Sequence, residues 1–506
     1  MITVKEKRGM ASGGRQRLTA DERRFFAAVR AAVAANPFSE ERLELDAVLA
    51  GLPAAAAGPE AIGEVIRRVN AHADRMEREG RADFHRFSGA DGEAVRQFLL
   101  FDVFHRFLAA FDGLIRRQLA AGDAPCPVPF AREALGLLVR RGFAAAEAER
   151  SLAVFYQLRR AFYFIRHQLP GRSPGMRGLR MRLWTNLFTH DLLAYAGRLW
   201  DRMEDFSTLL LGETGTGKGA AAAALGRSAF IPYAAKTGCF AESFCRNFIA
   251  INLSQFPENL IESELFGHCK GAFTGAVEHH EGIFSRCSPH GAIFLDEIGD
   301  AAPPVQLKLL KVLQERTFSP VGSHEVRRFR GRVIAATNRD LGGLLAGGKF
   351  RADFYYRLCS DVITVPPLRQ RLREDAGELA DILGVTVANI LGQPSPELVR
   401  GVVASLKRSP GPDYAWPGNV RELEQAVRRI LVAGRYEPAA PAGLTAGGPA
   451  GWFQEAALLA QPPAAQDLLA AYCALLYRRH GNYGVVARLS GLDRRTARKY
   501  AGLAKG

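Results

Sequence analysis

The sequence predicts a multidomain protein with an all-α N-terminal domain, an α/β core that carries a P-loop and a helical lid, and a C-terminal helix-turn-helix. Three observations support this fold class. The length of 506 residues exceeds what one hydrophobic core usually organises. The spacing of apolar residues changes along the chain, from a helical period to short apolar strands alternating with helices. The glycine-rich segment Gly212–Lys218 lies between a predicted strand and a predicted helix.

Charge and composition restrict the class of protein. The formal net charge of +15 favours a polyanionic partner, and basic residues are concentrated after Asp467. No apolar run is long enough to cross a bilayer, and the first residues lack the apolar centre of a signal peptide, so we expect no membrane partner and a cytoplasmic location. The seven cysteines lack the spacing of a disulfide framework or a zinc site, which favours reduced, isolated thiols.

Residues 1–172 are predicted to form an all-helical regulatory domain. Apolar residues from Val95 to Ile115 recur at three- and four-residue spacing and form one helical stripe. The aromatic-rich stretch Phe155–Phe164 is interpreted as helical core rather than as a ligand site. The alternation of strands and helices expected of a phosphorylatable receiver domain is missing from this segment.

Residues 173–368 are predicted to form a parallel α/β domain, residues 369–435 a helical lid, and residues 436–466 a linker rich in Ala, Gly and Pro. A helix-turn-helix is predicted for residues 467–506. Four strands are predicted in the α/β domain, and they are Ser207–Leu211, Phe248–Asn252, Ala292–Asp296 and Arg332–Ala336.

The segment after the first predicted strand has the pattern of a phosphate-binding loop. Glycines allow backbone N–H groups to turn toward phosphate oxygens, the following helix N-terminus adds positive potential, and the lysine reaches the outer phosphates. The predicted nucleotide-binding residues are Gly212, Glu213, Thr214, Gly215, Thr216, Gly217, Lys218 and Gly219. Gly219 stands where a Ser or Thr hydroxyl usually binds Mg²⁺, so other ligands must hold the metal.

The strand Ala292–Asp296 ends in two acidic residues, Asp296 and Glu297. Downstream of a P-loop this pattern predicts that Asp296 lies in the Mg²⁺ shell and that Glu297 polarises the attacking water. The sequence therefore predicts ATP hydrolysis with ATP and Mg²⁺ as cofactors.

A short loop between these two motifs carries a family resemblance. The residues Gly271, Ala272, Phe273, Thr274, Gly275 and Ala276 spell GAFTGA, which resembles the signature loop of the sigma-54-interacting AAA+ transcription activators. Glycines near both ends of the segment favour a mobile protrusion with an apolar tip and a hydroxyl. The resemblance spans about half of the chain and implies that Phe273 and Thr274 contact sigma-54. Cys269 departs from the family, which commonly has Glu there.

The resemblance also implies roles for residues outside the loop. Asn252 matches the family's switch residue, which restrains the catalytic Glu, and Asn338 matches the sensor of the γ-phosphate. Arg351 and Arg357 lie in a segment like the one that presents arginine fingers to a neighbouring subunit, and the sequence does not rank them. Arg421 matches the second sensor, in the lid. Delivery of a finger in trans requires a homo-oligomeric ring, which in this family is a hexamer.

The C-terminal segment has the pattern of a helix-turn-helix and resembles the Fis-type modules attached to this family. Two short helices are joined by a turn that contains Gly491, and the second helix is rich in Arg and Lys. The predicted contacts to phosphates and base edges of upstream promoter DNA are Arg494, Arg495, Thr496, Arg498 and Lys499.

The sequence thus predicts a sigma-54-dependent activator that binds upstream DNA and couples ATP hydrolysis to remodelling of the closed complex of sigma-54 RNA polymerase. Two alternatives stay open at this point. A remodeller of another substrate would account for the P-loop but not for the complete loop signature beside a helix-turn-helix. A DNA-binding repressor with a degenerate ATPase is supported only by Gly219.

Overall fold

The first third of the chain forms helices, as its apolar period predicts. The computed structural model describes residues 16–53, 58, 61–438 and 464–503. Capping residues fix several helix starts; Thr19, for example, forms a capping box with Glu22. The helices of this region are α1 (Ala20–Ala34), α2 (Glu40–Ala50), α3 (Ala61–Arg78), α4 (Gly89–Arg106), α5 (Leu108–Ala121), α6 (Ala131–Arg140), α7 (Ala145–Gln168), α8 (Pro174–Phe188) and α9 (Leu192–Ala194).

Two features predicted from the sequence, an apolar stripe and an aromatic-rich stretch, lie on helices α4, α5 and α7. The stripe from Val95 to Ile115 does not lie on one helix, because the chain breaks at Phe107 between α4 and α5. The apolar residues of the predicted stripe are nevertheless buried on both helices. Phe155, Tyr156 and Phe164 in α7 are buried, as helical core predicts, but Phe155 and Phe162 of the same stretch also line a cavity.

A five-stranded parallel sheet lies in the part of the chain before Tyr436, and its strands lie side by side in the order Phe248–Asn252, Ala292–Asp296, Arg332–Thr337, Thr208–Leu211 and Asp361–Thr364. Its central strands are apolar on both faces because helices cover both sides. The strands are β1 (Thr208–Leu211), β4 (Phe248–Asn252), β5 (Ala292–Asp296), β8 (Arg332–Thr337) and β9 (Asp361–Thr364), and two small antiparallel pairs are β2 (Tyr233–Ala234) with β3 (Cys239–Phe240) and β6 (Thr317–Phe318) with β7 (Arg327–Arg328).

Short helices connect the strands, and a separate helical cluster follows the sheet. The connecting helices are α10 (Lys218–Gly226), α11 (Glu258–Phe266), α12 (Ile283–Arg286), α13 (Pro303–Glu315), α14 (Leu341–Ala346) and α15 (Ala352–Leu358). The cluster contains α16 (Leu368–Glu374), α17 (Glu378–Leu391), α18 (Pro396–Arg408) and α19 (Asn419–Ala433) and has its own apolar core. It corresponds to the predicted lid.

The N-terminal helices share a hydrophobic core with the sheet. This core runs from Leu18 to Val365 and includes Ala221 and Leu225 of α10. The described residues up to Tyr436 accordingly form one compact unit.

The described residues from Glu437 onward form a second unit. Its helices are α20 (Ala465–His480), α21 (Tyr483–Ser490) and α22 (Arg494–Leu503), which pack around Cys473, Val486 and Ala497. Gly491 ends α21 with a φ of 69°, a conformation that glycine adopts without strain. The predicted fold class is confirmed. Most of the predicted linker lies outside the described residues.

Candidate nucleotide-binding site, protruding loop and basic helix

The predicted catalytic segments meet at one edge of the sheet. Parallel strands end at the same edge, and Asn252 of β4 is paired in register with Asp296 of β5. The P-loop follows β1, and Asn338 follows β8, the strand between β5 and β1. The topology therefore brings together motifs that lie far apart in the sequence. This is the edge at which open α/β sheets bind ligands.

The P-loop surrounds the amino group of Lys218. This side chain is 6% exposed, and its Nζ donates to the carbonyl oxygens of Gly212 and Glu213, at 2.8 and 3.1 Å. Burial lowers the pKa of Lys218, whereas the carboxylates of Glu297 and Asp296 act to raise it. The first N–H groups of α10 have no acceptor within the helix, so they are available to an anion together with this ammonium group.

Asp296 lies opposite Lys218 at the end of β5. Burial raises the pKa of Asp296, and the hydrogen bond that Oδ1 accepts from the backbone N–H of Glu297, at 3.1 Å, opposes that rise. A half-buried carboxylate beside a lysine suits a divalent cation, because carboxylate oxygens are preferred Mg²⁺ ligands. The donor set thus fits Mg²⁺, which would neutralise phosphate charge here.

Glu297 adopts a strained backbone conformation. Its φ is +54°, in the left-handed region that non-glycine residues rarely adopt. This conformation lets Oε2 accept a hydrogen bond from the backbone N–H of Asn338 at 3.3 Å. The Asn338 side chain in turn donates to the hydroxyl of Thr214 at 2.7 Å. The predicted base, the predicted sensor and the P-loop therefore form one hydrogen-bonded chain.

Asn252 is positioned near the acidic pair but engages a different partner. Its Oδ1 accepts hydrogen bonds from the backbone N–H and the hydroxyl of Ser254, at 2.9 and 2.7 Å. The side chain thus caps the short turn after β4. The described hydrogen bond to the Glu297 carboxylate comes from the backbone N–H of Asn338 and not from Asn252.

The lid fastens onto the P-loop through Asn419, a residue that sequence reasoning did not assign to the site. Asn419 is fully buried, and its Nδ2 donates to Glu213 Oε2 at 3.2 Å and to the carbonyl of Thr214 at 3.0 Å. Its Oδ1 accepts from the backbone N–H of Leu368 at 2.8 Å. Its φ of +53° is one that Asn tolerates better than most residues.

Arg369 is the second lid residue that the sequence did not reveal. Its guanidinium forms a bidentate pair with Glu213, at 2.7 and 2.5 Å. The lid approaches so closely that a Cβ added to Gly215 would lie 2.3 Å from the carbonyl oxygen of Gly418. Glycine is therefore required at this position. For Asn419, the sequence shows only an Asn at the start of a helix, a position at which Asn ordinarily acts as a cap.

Arg421 lies in the first turn of α19 and is exposed. Its charge reaches the nucleotide edge, since it is among the groups that perturb the pKa of Lys218 and of Asp296, both of which are shifted mainly by burial. This position agrees with the predicted role of a cation presented from the lid.

The two candidate arginine fingers have different surroundings. Arg357 donates from Nε and Nη2 to the carbonyl oxygen of Leu313, at 3.0 and 2.9 Å, so it secures the C-terminal end of α13. Arg351 pairs with its own neighbour Asp353 at 2.7 Å, and both side chains are exposed. The structure therefore distinguishes an internally engaged arginine from one at the surface.

Gly219 is exposed at the start of α10. A Cβ added there would meet nothing closer than Phe294 Cε1 at 4.0 Å. A Ser or Thr side chain would therefore fit at this position, so steric crowding does not explain why this P-loop lacks the hydroxyl that usually binds Mg²⁺.

The GAFTGA segment forms a closed protrusion between α11 and α12. The backbone N–H of Gly271 donates to the carbonyl of Ala276 at 2.8 Å, which closes the base of the loop. Phe273 is 36% exposed and Thr274 is exposed, whereas Ala276 is buried. The base also rests on the β6–β7 hairpin, because the N–H of Cys269 donates to the carbonyl of Val321 at 3.0 Å. The tip is thus presented by a fixed base.

The last helix of the second unit presents its basic residues to solvent. Arg494, Arg495, Arg498 and Lys499 are exposed, whereas Thr496 is half-buried. Asp493 caps the helix by accepting from the backbone N–H of Arg495 and of Thr496, at 2.9 and 3.0 Å, and the Thr496 hydroxyl donates to the same carboxylate. Thr496 therefore has a capping role in the structure.

Comparisons with known proteins agree with this geometry. Residues 190–364 match the family model of the Sigma-54 interaction domain. The Nif-specific regulatory protein of Azotobacter vinelandii is 44% identical over 226 residues, 45% of this chain and 40% of the relative. NtrC of Azospirillum brasilense is 40% identical over 268 residues, 52% of this chain and 48% of the relative. The chain thus spans less than half the length of these relatives.

A solved structure matches more weakly over a longer region. NtrX from Brucella abortus in complex with ADP is 23% identical, with a TM-score of 0.40, and covers 73% of this chain and 79% of that chain.

A parallel α/β sheet with a P-loop after β1, an acidic pair at the end of β5 and a helical lid docked on the P-loop defines an AAA+ nucleotide-binding domain. Within that class, the matched region carries the complete GAFTGA loop. The central domain of this chain belongs to the sigma-54-interacting AAA+ family, as the sequence predicted. No helix in the described part of the chain is long and apolar enough to cross a membrane.

Proposed function

We propose that this protein is a sigma-54-dependent transcription activator that hydrolyses ATP in a ring of subunits and uses the GAFTGA loops to remodel the closed complex of sigma-54 RNA polymerase. The observation that carries the proposal is the loop itself. Phe273 and Thr274 project from a base closed by backbone hydrogen bonds, and the loop lies in sequence between the two nucleotide motifs. An exposed aromatic on a motor domain suits a grip on a protein partner.

Each site residue has a physical role in hydrolysis under this proposal. Lys218 holds the outer phosphates, and Asp296 holds Mg²⁺, which supplies charge neutralisation when bound. Glu297 orients and polarises the water, while Asn338 links that carboxylate to the P-loop through Thr214. Arg421 reports on the nucleotide from the lid, whose docking depends on Asn419.

Arg351 is the better candidate for the finger delivered in trans, because Arg357 is engaged by a carbonyl of its own subunit. A surface arginine can reach the γ-phosphate of a neighbouring subunit after exchanging its exposed partner Asp353, which costs little. This assignment requires a ring, and a hexamer is the ring that we propose.

The basic face of α22 is proposed to bind upstream promoter DNA. Arg494, Arg495, Arg498 and Lys499 form an exposed cationic surface on the second helix of a helix-turn-helix, which suits insertion into a major groove. Asp493 and Thr496 fix the start of that helix. Deletion of residues 467–506 should abolish specific footprints upstream of a target promoter while ATP hydrolysis persists.

ATP turnover by the purified protein distinguishes this proposal from a repressor with a degenerate ATPase. Steady hydrolysis that is lost in Glu297→Gln, with ATP binding retained, supports a working motor. A rate equal to that of Glu297→Gln would support the repressor, because it would mean that the site with Gly219 does not catalyse hydrolysis.

A further inference from the structure

A large cavity lies within the N-terminal helices, away from the nucleotide edge. Its volume is about 470 Å³, within the range of small-molecule sites. The walls are mostly apolar and aromatic, and they include Phe38, Leu100, Phe104, Phe155, Phe162 and Trp184. Phe38 is stacked on Phe162 with ring centroids 5.3 Å apart, so part of the wall is already ordered.

Two buried side chains on α4 line this cavity, and each has an acceptor atom without a described protein donor. Gln97 is 5% exposed, and no group in the described part of the chain hydrogen-bonds its Oε1. His105 is 6% exposed, and its Nδ1 lies 2.8 Å from the carbonyl oxygen of Phe101, so this nitrogen carries the proton. Nε2 is then a lone-pair acceptor with no described partner. Buried acceptors without a donor are uncommon and destabilising.

The partly buried charged groups at the cavity are already paired, whereas Arg166, which has no ion pair among the described residues, is exposed to solvent. Arg42 contacts Asp46 at 2.9 Å, and Arg159 contacts Asp112 at 2.6 Å. Burial lowers the pKa of His105 to about 3, so its ring is neutral at physiological pH. A ligand with a full charge would therefore lose hydration against a buried wall that offers no free counter-charge, because the charge of the exposed Arg166 is screened by solvent.

We propose that this cavity is an effector site for an uncharged, ring-containing small molecule with one hydroxyl or N–H donor. The rings of such a molecule would pack against the aromatic walls. Its donor would satisfy the acceptors on Gln97 or His105.

The position of α7 indicates how ligand binding in the cavity would affect the P-loop helix α10. One face of α7 lines the cavity with Phe155, Leu158 and Phe162. The other face holds the C-terminal end of the P-loop helix α10. The contacts are hydrogen bonds from Gln157 Nε2 to Ser228 O at 3.1 Å, from Arg160 Nη1 to Arg227 O at 2.8 Å and from Arg160 Nη2 to Ala229 O at 2.7 Å.

Arg160 is fully buried, so this contact is part of the core rather than a surface ion pair. A shift of α7 on ligand binding would move the carbonyl groups that end α10, whose other end begins at Lys218. Coupling to hydrolysis rests on the proposed ATPase function, whereas occupancy of the cavity does not.

Isothermal titration calorimetry of the full chain without nucleotide tests the site. We expect 2-naphthol to bind with a Kd of about 100 µM or tighter. The matched probe 2-methoxynaphthalene has the same rings but no donor and should bind about tenfold more weakly. The anion 2-naphthoate should bind more weakly than 2-naphthol.

Variants assign the binding to the cavity. Gln97→Met with His105→Leu should bring the affinity ratio of 2-naphthol to 2-methoxynaphthalene close to one while 2-methoxynaphthalene still binds. Leu158→Trp should fill part of the cavity and weaken both probes at least tenfold. The exposed substitution Val48→Ala, which lies outside the cavity lining, should change neither affinity.

Absence of 2-naphthol binding to the folded wild-type chain at 1 mM, equal affinity for the two naphthyl probes, or tighter binding of 2-naphthoate would each overturn the proposal. Hydrolysis is then measured with saturating 2-naphthol. A changed rate in the wild type but not in Leu158→Trp supports coupling through α7, and an unchanged wild-type rate refutes that coupling.

Discussion

Asn419→Asp offers a sharp test of how the lid reaches the nucleotide site. The substitution keeps the size of the side chain and the oxygen that accepts from Leu368 N–H, at 2.8 Å. It replaces the Nδ2 donor with an oxygen that would face the Thr214 carbonyl at 3.0 Å and Glu213 Oε2 at 3.2 Å. Two hydrogen bonds thus become two repulsive contacts in a fully buried place.

The magnitude follows from these contacts. A hydrogen bond to a neutral carbonyl contributes about 1 kcal/mol and one to a carboxylate about 2 kcal/mol, so the docked lid loses roughly 3 kcal/mol before repulsion is counted. That loss corresponds to about a hundredfold change in an equilibrium constant. We therefore expect the Kd of a fluorescent ATP analogue to rise between ten- and a hundredfold.

Arg369→Gln is the matched control for the lid. It removes a cation from the same carboxylate, but the pair is exposed, so the loss should be below about 1 kcal/mol and the rise in Kd below about fivefold. An Asn419→Asp variant that binds ATP within threefold of the wild type, with its melting temperature unchanged, would refute the assigned role of Asn419.

Three further predictions concern other sites. Lys218→Ala should lower ATP affinity at least tenfold by equilibrium binding, because it removes the cation buried in the P-loop. ATP hydrolysis by Arg351→Ala subunits should partly recover when they are mixed with Glu297→Gln subunits. Arg357→Ala should lower the melting temperature and show no such recovery. The reverse pattern would exchange the roles assigned to the two arginines. The pKa of His105 is about 3 in the folded chain and about 6.5 in the unfolded chain, so between these values the unfolded chain binds one more proton. The contribution of the neutral His105 ring to stability is therefore present above about pH 6.5 and is lost as the pH falls toward 3. The free energy of unfolding of the wild type should therefore fall by up to about 1.4 kcal/mol per pH unit in that range, more steeply than in His105→Leu; parallel slopes would contradict a neutral buried ring.

The sequence predicted most of the sheet because its strands are short apolar runs with definite ends. The strands at Phe248–Asn252 and Ala292–Asp296 were predicted to the residue, since each ends in a polar group needed at the same edge. The edge strand β9, Asp361–Thr364, was missed because it has only four residues and little alternation. The strands of the two antiparallel pairs, β2 with β3 and β6 with β7, have two residues each and are too short to show a pattern in the sequence.

The candidate site was predictable where motifs are contiguous and unpredictable where it depends on lid docking. Lys218 and Glu297 belong to segments whose order along the chain has chemical meaning. Asn419 and Arg369 act through Glu213, more than 150 residues earlier in the chain, and no local pattern indicates that contact. The cavity in the N-terminal helices was likewise hidden, because core aromatics and pocket aromatics have the same helical spacing.

The central claim is that the motor acts on sigma-54 through the GAFTGA loop. Thr274 lies on an exposed tip, and among the described residues no hydrogen bond links its hydroxyl to a phosphate-binding or water-positioning residue. Thr274→Ala should therefore bind ATP, hydrolyse it within about twofold of the wild type and bind upstream DNA. The matched control is Val277→Ala, since Val277 is 72% exposed and lies immediately beyond the loop.

The most direct measurement is ATP-dependent open-complex formation by purified protein, polymerase and sigma-54 on a sigma-54 promoter. The wild type and Val277→Ala should open the promoter. Thr274→Ala and Phe273→Ala should fail by at least an order of magnitude while they continue to hydrolyse ATP, because the loop no longer engages its load. Full promoter opening by both loop variants would contradict the assignment of this loop and, with it, the proposed coupling of hydrolysis to sigma-54.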